Sequence, residues 1–427
     1  MKMSRRRFLS FLGKLFGAGL ADVLFGFDRQ AQGASLLPHK PLNYWEYLPM
    51  DYFRQVVGRD AAAERAVLWQ SGYLQGGARL EYRRRGENVA RWADVSYEYS
   101  DEAGGLYTYT ARLTNLAPGE EYECRAVAAG AAGDWQRLRP VGGGEFVMLV
   151  FCDSQCVDYG VWGKVADFAA KRHKNAAAFT VIGDLVDNGY SDYQWRQWFG
   201  AAKNLLGGLV FAPVMGNHEC YDQQWLAAWP WGYLRRFAVP KNDNVDFAGF
   251  YYSFDMGAAH FMVLNTQFTE IDGIKSNLLT EQLDWLKRDA KSHDRPWQIV
   301  LMHKDIMTYG TGKYDPGRGG FNQDGGAFMA AFDKLGVDLV LTGHEHTYRN
   351  RGHIYQGKAA ATGPYYVMGG LSGDQRYPGL WQSPFDRVIA PQPEIDNYLC
   401  LKVTENAIEL VCYNIDGSVI DKVSLNK

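Results

Sequence analysis

Short apolar runs, most of them ending on a small polar motif, restrict the fold of this chain more than any other feature. They lie at 146–151, 179–182, 209–215, 260–264, 298–302 and 338–341. Five of them run into Asp153, Gly183-Asp184, Gly216-Asn217, His303 and Gly343-His344. A run that is apolar throughout, without alternation, suits a strand covered on both faces. Helix-like stretches separate several of the runs; Leu283, Leu286 and Ala290 share one face after a capping residue at Thr280. Buried, largely central strands with helical crossovers predict an α/β fold with helices on the outside. The polar residues at the strand ends then converge on one edge of the sheet, where such folds place their chemistry.

Residues from about 60 to 142 read differently, because the alternation at 65–69, 78–82 and 106–111 is that of half-buried strands. Gly76-Gly77 and Pro118-Gly119 supply turns between them. The segment from Leu113 to Tyr122, with Leu116, Pro118 and Gly119 between, resembles the L-x-x-L-x-P-x-x-x-Y corner of fibronectin-type-III-like sandwiches. The resemblance is closest to the N-terminal module of purple-acid-phosphatase-like enzymes. Gly142, Gly143 and Gly144 mark a boundary, and beyond Tyr398 the runs at 399–403 and 408–413 predict a closing hairpin.

The net charge of −3 conceals an asymmetry: the first 33 residues carry six bases and two acids, a net +4, so the remainder sums to −7. Such a mildly acidic body has no general attraction for nucleic acid polymers or anionic lipid. An anionic substrate would need local positive charge. Ser4-Arg5-Arg6-Arg7-Phe8-Leu9, the interrupted apolar stretch at 11–27 and the small residues around Ala31 and Gly33 resemble a twin-arginine signal. That predicts use of the twin-arginine export machinery, a periplasmic or extracellular location and no membrane span in the mature chain. Six cysteines are too sparse for a disulfide framework, and Cys152 and Cys156 read as buried thiols rather than a zinc pair.

The chemistry lies in Asp153-Ser154-Gln155, Gly183-Asp184-Leu185-Val186-Asp187, Gly216-Asn217-His218-Glu219, Met302-His303 and Gly343-His344-Glu345-His346. Each motif alone is commonplace, but the ordered set, each member just after an apolar strand, is specific. It resembles the calcineurin-like metallophosphoesterase superfamily over roughly residues 146–375, and the β-module narrows this towards purple-acid-phosphatase-like members. Carboxylate, carboxamide and imidazole ligands suit iron, zinc or manganese. The resemblance implies two divalent or trivalent ions. The first would be held by Asp153, Asp184 and His346, and the second by Asp184, Asn217, His303 and His344, with Asp184 bridging. Such a pair clamps a phosphoryl group and supplies hydroxide for in-line attack near neutral pH. The resemblance also implies that His218 protonates the leaving oxygen. Asp187 is either the carboxylate behind His218 or a helix cap.

Two positions depart from the family pattern. Gln155 stands where most of the superfamily has a ligating histidine, and Asp187 stands where purple acid phosphatases supply a tyrosinate. The first site is therefore expected to be short of ligands, completed by Gln155 or water, and without the tyrosinate-to-iron colour. Asn188 replaces the arginine of phosphoprotein phosphatases. Lys304, Arg349 and Arg351 are candidates for phosphate contact or for solvated surface. Aromatic residues at 221–237 and the glycine-rich stretch at 308–326 could wall a substrate or simply pack an insertion.

These readings predict a signal peptide at 1–34, a small all-β fibronectin-III-like domain at 38–142, an αββα metallophosphoesterase sandwich at 145–395 and a completing hairpin at 396–427. The expected activity is hydrolysis of small-molecule phosphate monoesters. The rivals are a phosphodiesterase or nucleotidase, and a non-catalytic envelope binding protein with a vestigial metal site.

Overall fold

The computed structural model describes residues 51–427 except 73, 101–104, 129, 139, 309–319 and 378. Strand β1 (Asp51–Val57) is followed by β2 (Arg65–Ser71), β3 (Arg79–Arg84), β4 (Arg91–Ser100), β5 (Leu106–Leu113), β6 (Tyr122–Ala128) and the short β7 (Gln136–Leu138). All the pairings among β2 to β7 are antiparallel. These strands enclose a core of their own, including Trp69, Leu80, Tyr109, Leu116 and Cys124. At the Pro118-Gly119 turn the Tyr122 hydroxyl accepts the Ala117 N–H at 3.1 Å, tying the start of β6 to the turn before it.

The body holds the buried runs. In the first sheet β8 (Phe146–Phe151), β9 (Ala178–Ile182) and β10 (Val210–Val214) are parallel and buried along their whole length. In the second sheet β11 (Tyr252–Met256) pairs antiparallel with β12 (Ala259–Leu264), which runs parallel to β13 (Trp297–Met302) and β14 (Leu339–Thr342). Strands β15 (Arg349–Tyr355) and β16 (Tyr365–Met368) extend it, β16 lying beside β14, and the two-residue strands Lys358–Ala359 and Val388–Ile389 pair with β15. The two sheets share one core, with Phe146 and Phe261 meeting at 5.9 Å between ring centres.

Helices cover both outer faces. Helix α1 (Tyr159–Arg172) seats Trp162 on Phe151 at 5.0 Å, and α2 (Asp192–Leu206) seats Trp198 on Phe211 at 5.7 Å. Both tryptophans are fully buried, and truncating either to alanine is expected to cost roughly 3–5 kcal/mol. Helices α3 (Leu278–Asp289) and α4 (Met329–Leu335) flank the second sheet, where Trp285 packs on Tyr251 at 5.0 Å. This is the αββα sandwich that the apolar runs predict.

Strand β1 inserts beside β10, parallel to it with Val56 opposite Phe211, and pairs antiparallel with β2 on its other side. One sheet therefore runs from the body through β1 into the β-module. At its far side β17 (Asn397–Val403) pairs with β8, followed outward by β18 (Ala407–Asn414) and β19 (Val419–Asn426).

Two expectations need correction. Helix α3 begins at Leu278, after Asn277 in a left-handed conformation, so Thr280 does not cap it. Its buried face is Leu278, Gln282, Trp285, Leu286 and Asp289, and Leu283 is only partly covered. The polar Gln282 is buried because its side chain accepts the Asn265 N–H at 2.6 Å and donates to the Asn265 carbonyl at 2.8 Å. The C-terminal hairpin gains a third strand, β19, whose mostly exposed edge position dilutes the alternation that would announce it. All six cysteines are free, and Cys152 and Cys156 are buried. The expected export signal at 1–34 lies outside the described residues. Among the described residues no helix is long and apolar enough to cross a membrane.

Candidate metal centre

The C-terminal ends of β8, β9, β10, β13 and β14 deliver Asp153, Asp184, Asn217, His303 and His344, with His346 two residues further on. Parallel pairing within each sheet brings these ends level, which is why residues far apart in sequence meet. Four of the six have left-handed backbones: Asp153 at φ 51°, Asp184 at 49°, His344 at 80° and His346 at 51°. Non-glycine residues held this way cost on the order of 1–3 kcal/mol each, and such strain concentrates at functional sites. The glycines of the motifs answer a different need. A side chain on Gly183 would collide with the His303 ring, and one on Gly216 with the Asp184 carboxylate.

The donor atoms converge. His303 Nδ1 lies 2.8 Å from the Ile182 carbonyl and donates to it, which leaves the Nε2 lone pair free in the neutral ring. That Nε2 is 3.0 Å from Asn217 Oδ1, 3.1 Å from Asp184 Oδ2 and 3.1 Å from His344 Nδ1. Atoms of this kind, all carrying lone pairs, repel one another unless a proton or a cation sits among them. Asp153, Asp184 and His346 form a second cluster that shares Asp184. His346 Nδ1 donates to the Gln375 carbonyl at 2.8 Å, turning Nε2 towards Asp153 Oδ1 at 3.5 Å. Beside them Gln155 is buried, and its Oε1 has no hydrogen-bond partner. A buried acceptor without a donor, beside two clusters of lone pairs, is a donor set that suits a cation.

Electrostatics agree with this reading. Burial opposes ionisation of Asp184, but the charges of His303 and His218 outweigh it and hold the group well below the usual carboxylate range. Burial likewise opposes a charge on His303, yet the neighbouring Asp184 carries its pKa up to about 9. Burial and the His303 charge push His344 well down, and burial brings His346 down to about 4. Asp153 moves up, chiefly through burial. Its carboxylate accepts the His344 N–H at 2.9 Å and 3.0 Å, which joins the two strained turns.

His218 is partly buried beside this cluster, with Nε2 3.9 Å from Asp184 Oδ2. Its Nδ1 donates to the backbone carbonyl of Asp187 at 2.6 Å, and the Asp187 carboxylate stands off at 3.6 Å. The ring is thus oriented mainly by main chain. Burial would lower the His218 pKa, but Asp184 and Asp187 raise it. The helix-cap alternative for Asp187 fails, because Ser191 caps α2 and its side chain accepts from Gln194. Asn188 is spent on structure, donating to the Asp222 carbonyl at 2.8 Å.

The three basic residues beside the motifs are neither solvated nor free for phosphate. Lys304 is buried against Glu270 at 2.8 Å and Asp324 at 2.6 Å. Arg351 forms a two-pronged pair with Asp305 at 2.9 Å and 2.8 Å, and Arg349 is buried near Asp386 at 3.8 Å.

Sequence reasoning passed over Glu219. It is fully buried and accepts the N–H groups of Gly216 at 2.7 Å, Asp184 at 3.1 Å, Leu185 at 2.9 Å and Val186 at 3.3 Å. One carboxylate thereby fixes two ligand turns. Its place directly after Asn217-His218 was the only hint. Tyr377, stacked on His346 at 4.5 Å between ring centres, carried no signal in the sequence.

The Calcineurin-like phosphoesterase family model matches residues 131–348. Purple acid phosphatase 15 of Arabidopsis thaliana is 28% identical over 189 residues, which cover 43% of this chain and 33% of that protein. An uncharacterized protein of Mycobacterium tuberculosis is 26% identical over 403 residues, covering 83% of this chain and 72% of its own. The chain spans only about a third of Purple acid phosphatase 15 and 44% of Purple acid phosphatase 18 from the same plant. Among solved structures, the yellow lupin seed purple acid phosphatase PPD1 superimposes with a TM-score of 0.75 at 19% identity, over 88% of this chain and 74% of that one. The PhoD structure follows at 0.58 and 11% identity, over 86% and 91%. At these identities the structures speak for the fold.

Proposed function

The chain belongs to the calcineurin-like phosphoesterase family, and from that premise we propose that it is an exported hydrolase of small phosphate monoesters with a two-metal centre. The observation that carries the proposal is the meeting of His303 Nε2, Asn217 Oδ1, Asp184 Oδ2 and His344 Nδ1 within hydrogen-bond distance of one atom. These residues would hold one cation. Asp153, Asp184 and His346, with the unpartnered Gln155 Oε1 as a candidate fourth donor, would hold the other. When bound, such a pair neutralises phosphoryl charge and makes hydroxide available near neutral pH.

The remaining work falls to side chains. His218, oriented by its Nδ1 donating to the Asp187 carbonyl, would carry on Nε2 the proton for the departing ester oxygen when the ring is in its imidazolium form. The rise of its pKa above the ordinary 6.5 extends the pH range over which the ring is protonated. The Asp187 carboxylate adds charge that supports the imidazolium. Glu219 keeps the Asp184 turn rigid, so the donor atoms are held in place before substrate arrives.

Hydrolysis of 4-nitrophenyl phosphate and bis(4-nitrophenyl) phosphate by metal-stripped and metal-reconstituted protein tests the proposal. Asp184→Ala should lose metal and activity together. His218→Ala should keep metal and lose about 10²–10⁴-fold in rate, most for esters with poor leaving groups. Absence of hydrolysis by fully metal-loaded protein would leave the second reading, a binding protein with a vestigial centre, for which Gln155 is the one supporting feature.

A further inference from the structure

We propose that Trp225 forms a leaving-group subsite for esters whose alcohol carries a planar aromatic ring. This rests on the hydrolytic reading above and names a substrate class for it. Trp225 is 52% exposed, and its ring centre lies 5.6 Å from that of His218 with the planes at 87°. The group expected to face the departing oxygen is thus flanked by an open indole.

The indole is held there at a cost. Trp225 has φ 59°, a conformation that L side chains rarely adopt. It sits at the tip of a tight turn in which the Asp222 carboxylate accepts the N–H groups of Gln224 at 2.8 Å and Leu226 at 2.9 Å. Two main-chain bonds reinforce the turn, Trp225 N–H to the Asp222 carbonyl and Asp222 N–H to the Leu226 carbonyl, both at 2.9 Å. A glycine would fit this position without strain, and a polar residue would suit its exposure. A large apolar ring satisfies neither demand, so folding alone does not account for it.

Tyr221 backs the indole at 6.1 Å between ring centres and stands 6.3 Å from His218. Its hydroxyl donates to Glu270 at 3.3 Å, and Glu270 is paired with buried Lys304. The rear of the slot is therefore anchored to the body, while the Trp225 face stays open. Stacking against an aromatic side chain suits either an aryl ester or a nucleoside monophosphate, and is insensitive to which base is present.

The test compares kcat/KM of metal-reconstituted wild type, Trp225→Ala, Trp225→Phe and Trp225→Gly on 4-nitrophenyl phosphate, AMP and glycerol phosphate. Trp225→Ala and Trp225→Gly should lower selectivity for an aromatic ester over glycerol phosphate by about ten-fold, and Trp225→Phe should restore most of it. Loss for AMP alone assigns the slot to nucleosides, whereas loss for both aromatic esters assigns it to rings attached at either distance. Trp225→Gly should also match or exceed wild type in thermal stability, since it relieves the left-handed strain. Adenosine should quench wild-type tryptophan fluorescence more strongly than that of Trp225→Phe, a readout that needs no hydrolysis. If no ester is hydrolysed but this quench is seen, the catalytic reading fails and with it the leaving-group role, and Trp225 stands only as a binding site for aromatic rings. Equal effects of Trp225→Ala on all three esters, or none, together with an unchanged quench, would overturn the subsite.

Discussion

His303 Nε2 and Asn217 Oδ1 lie 3.0 Å apart while His303 Nδ1 donates to the Ile182 carbonyl, so the contact is favourable only with a proton or a cation at Nε2. Without a cation, Asp184 stabilises the proton and carries the His303 pKa up to about 9. Metal binding must then expel that proton. Below pH 9, apparent metal affinity should fall by about tenfold per pH unit for each proton displaced. Calorimetric titration with Zn²⁺ in two buffers of different ionisation heat measures the release; identical heats in both would sink this account.

Glu219 binds four buried amides across two ligand turns. Glu219→Ala should therefore destabilise the protein by at least about 3 kcal/mol, since each stranded buried donor costs on the order of 1–3 kcal/mol. Metal retention should weaken in parallel, because the Asp184 backbone loses its brace. Denaturant unfolding and metal content after dialysis check both effects, and a loss below about 1 kcal/mol would contradict the bracing role.

Gln155→His should raise metal retention at the cluster of Asp153, Asp184 and His346, because imidazole replaces an amide oxygen that has no partner. The measurement is metal-to-protein stoichiometry after graded chelator treatment. Retention indistinguishable from wild type would place Gln155 outside the coordination shell.

A third carboxylate–imidazole group lies apart from the strand ends. His260 is buried with Nδ1 2.7 Å from Asp255 and Nε2 2.9 Å from Asp289, and the two carboxylates outweigh the burial that would lower its pKa, leaving it above the ordinary 6.5. A histidine with a raised folded pKa contributes stability that is fully present below the unfolded value and is lost as pH rises through the folded one. The stability gap between wild type and His260→Asn should thus be largest below pH 6.5, down to the acid range where Asp255 protonates, and should shrink on the alkaline side. Melting curves across pH test this. A gap that widens with rising pH would refute it.

The body strands and the six candidate ligands were legible because two demands coincide in the same short segments. Strands covered on both faces must be apolar throughout, and their ends must switch abruptly to donors, as at Ile182, Gly183 and Asp184. What escaped depends on three-dimensional return. Glu219 acts on Asp184, 35 positions earlier, and no local pattern encodes that bond. The support for His218 comes mainly from the Asp187 main chain, which any residue type would supply. Lys304 and Arg351 look like surface cations until Glu270, Asp324 and Asp305 are brought against them by packing. Strand β19 is an edge element with one buried position, so it has almost no hydrophobic signature.

Strand β1 shields the flank of β10, and this bears on how the protein can be handled. A shortened form starting after Gly144 would leave one side of Val210–Val214 without its neighbour, its backbone groups open to strands of other molecules. Such a fragment should self-associate in a concentration-dependent way even though every donor of the centre is retained. On that outcome β1, the strand that joins the β-module to the body, doubles as a guard against polymerisation.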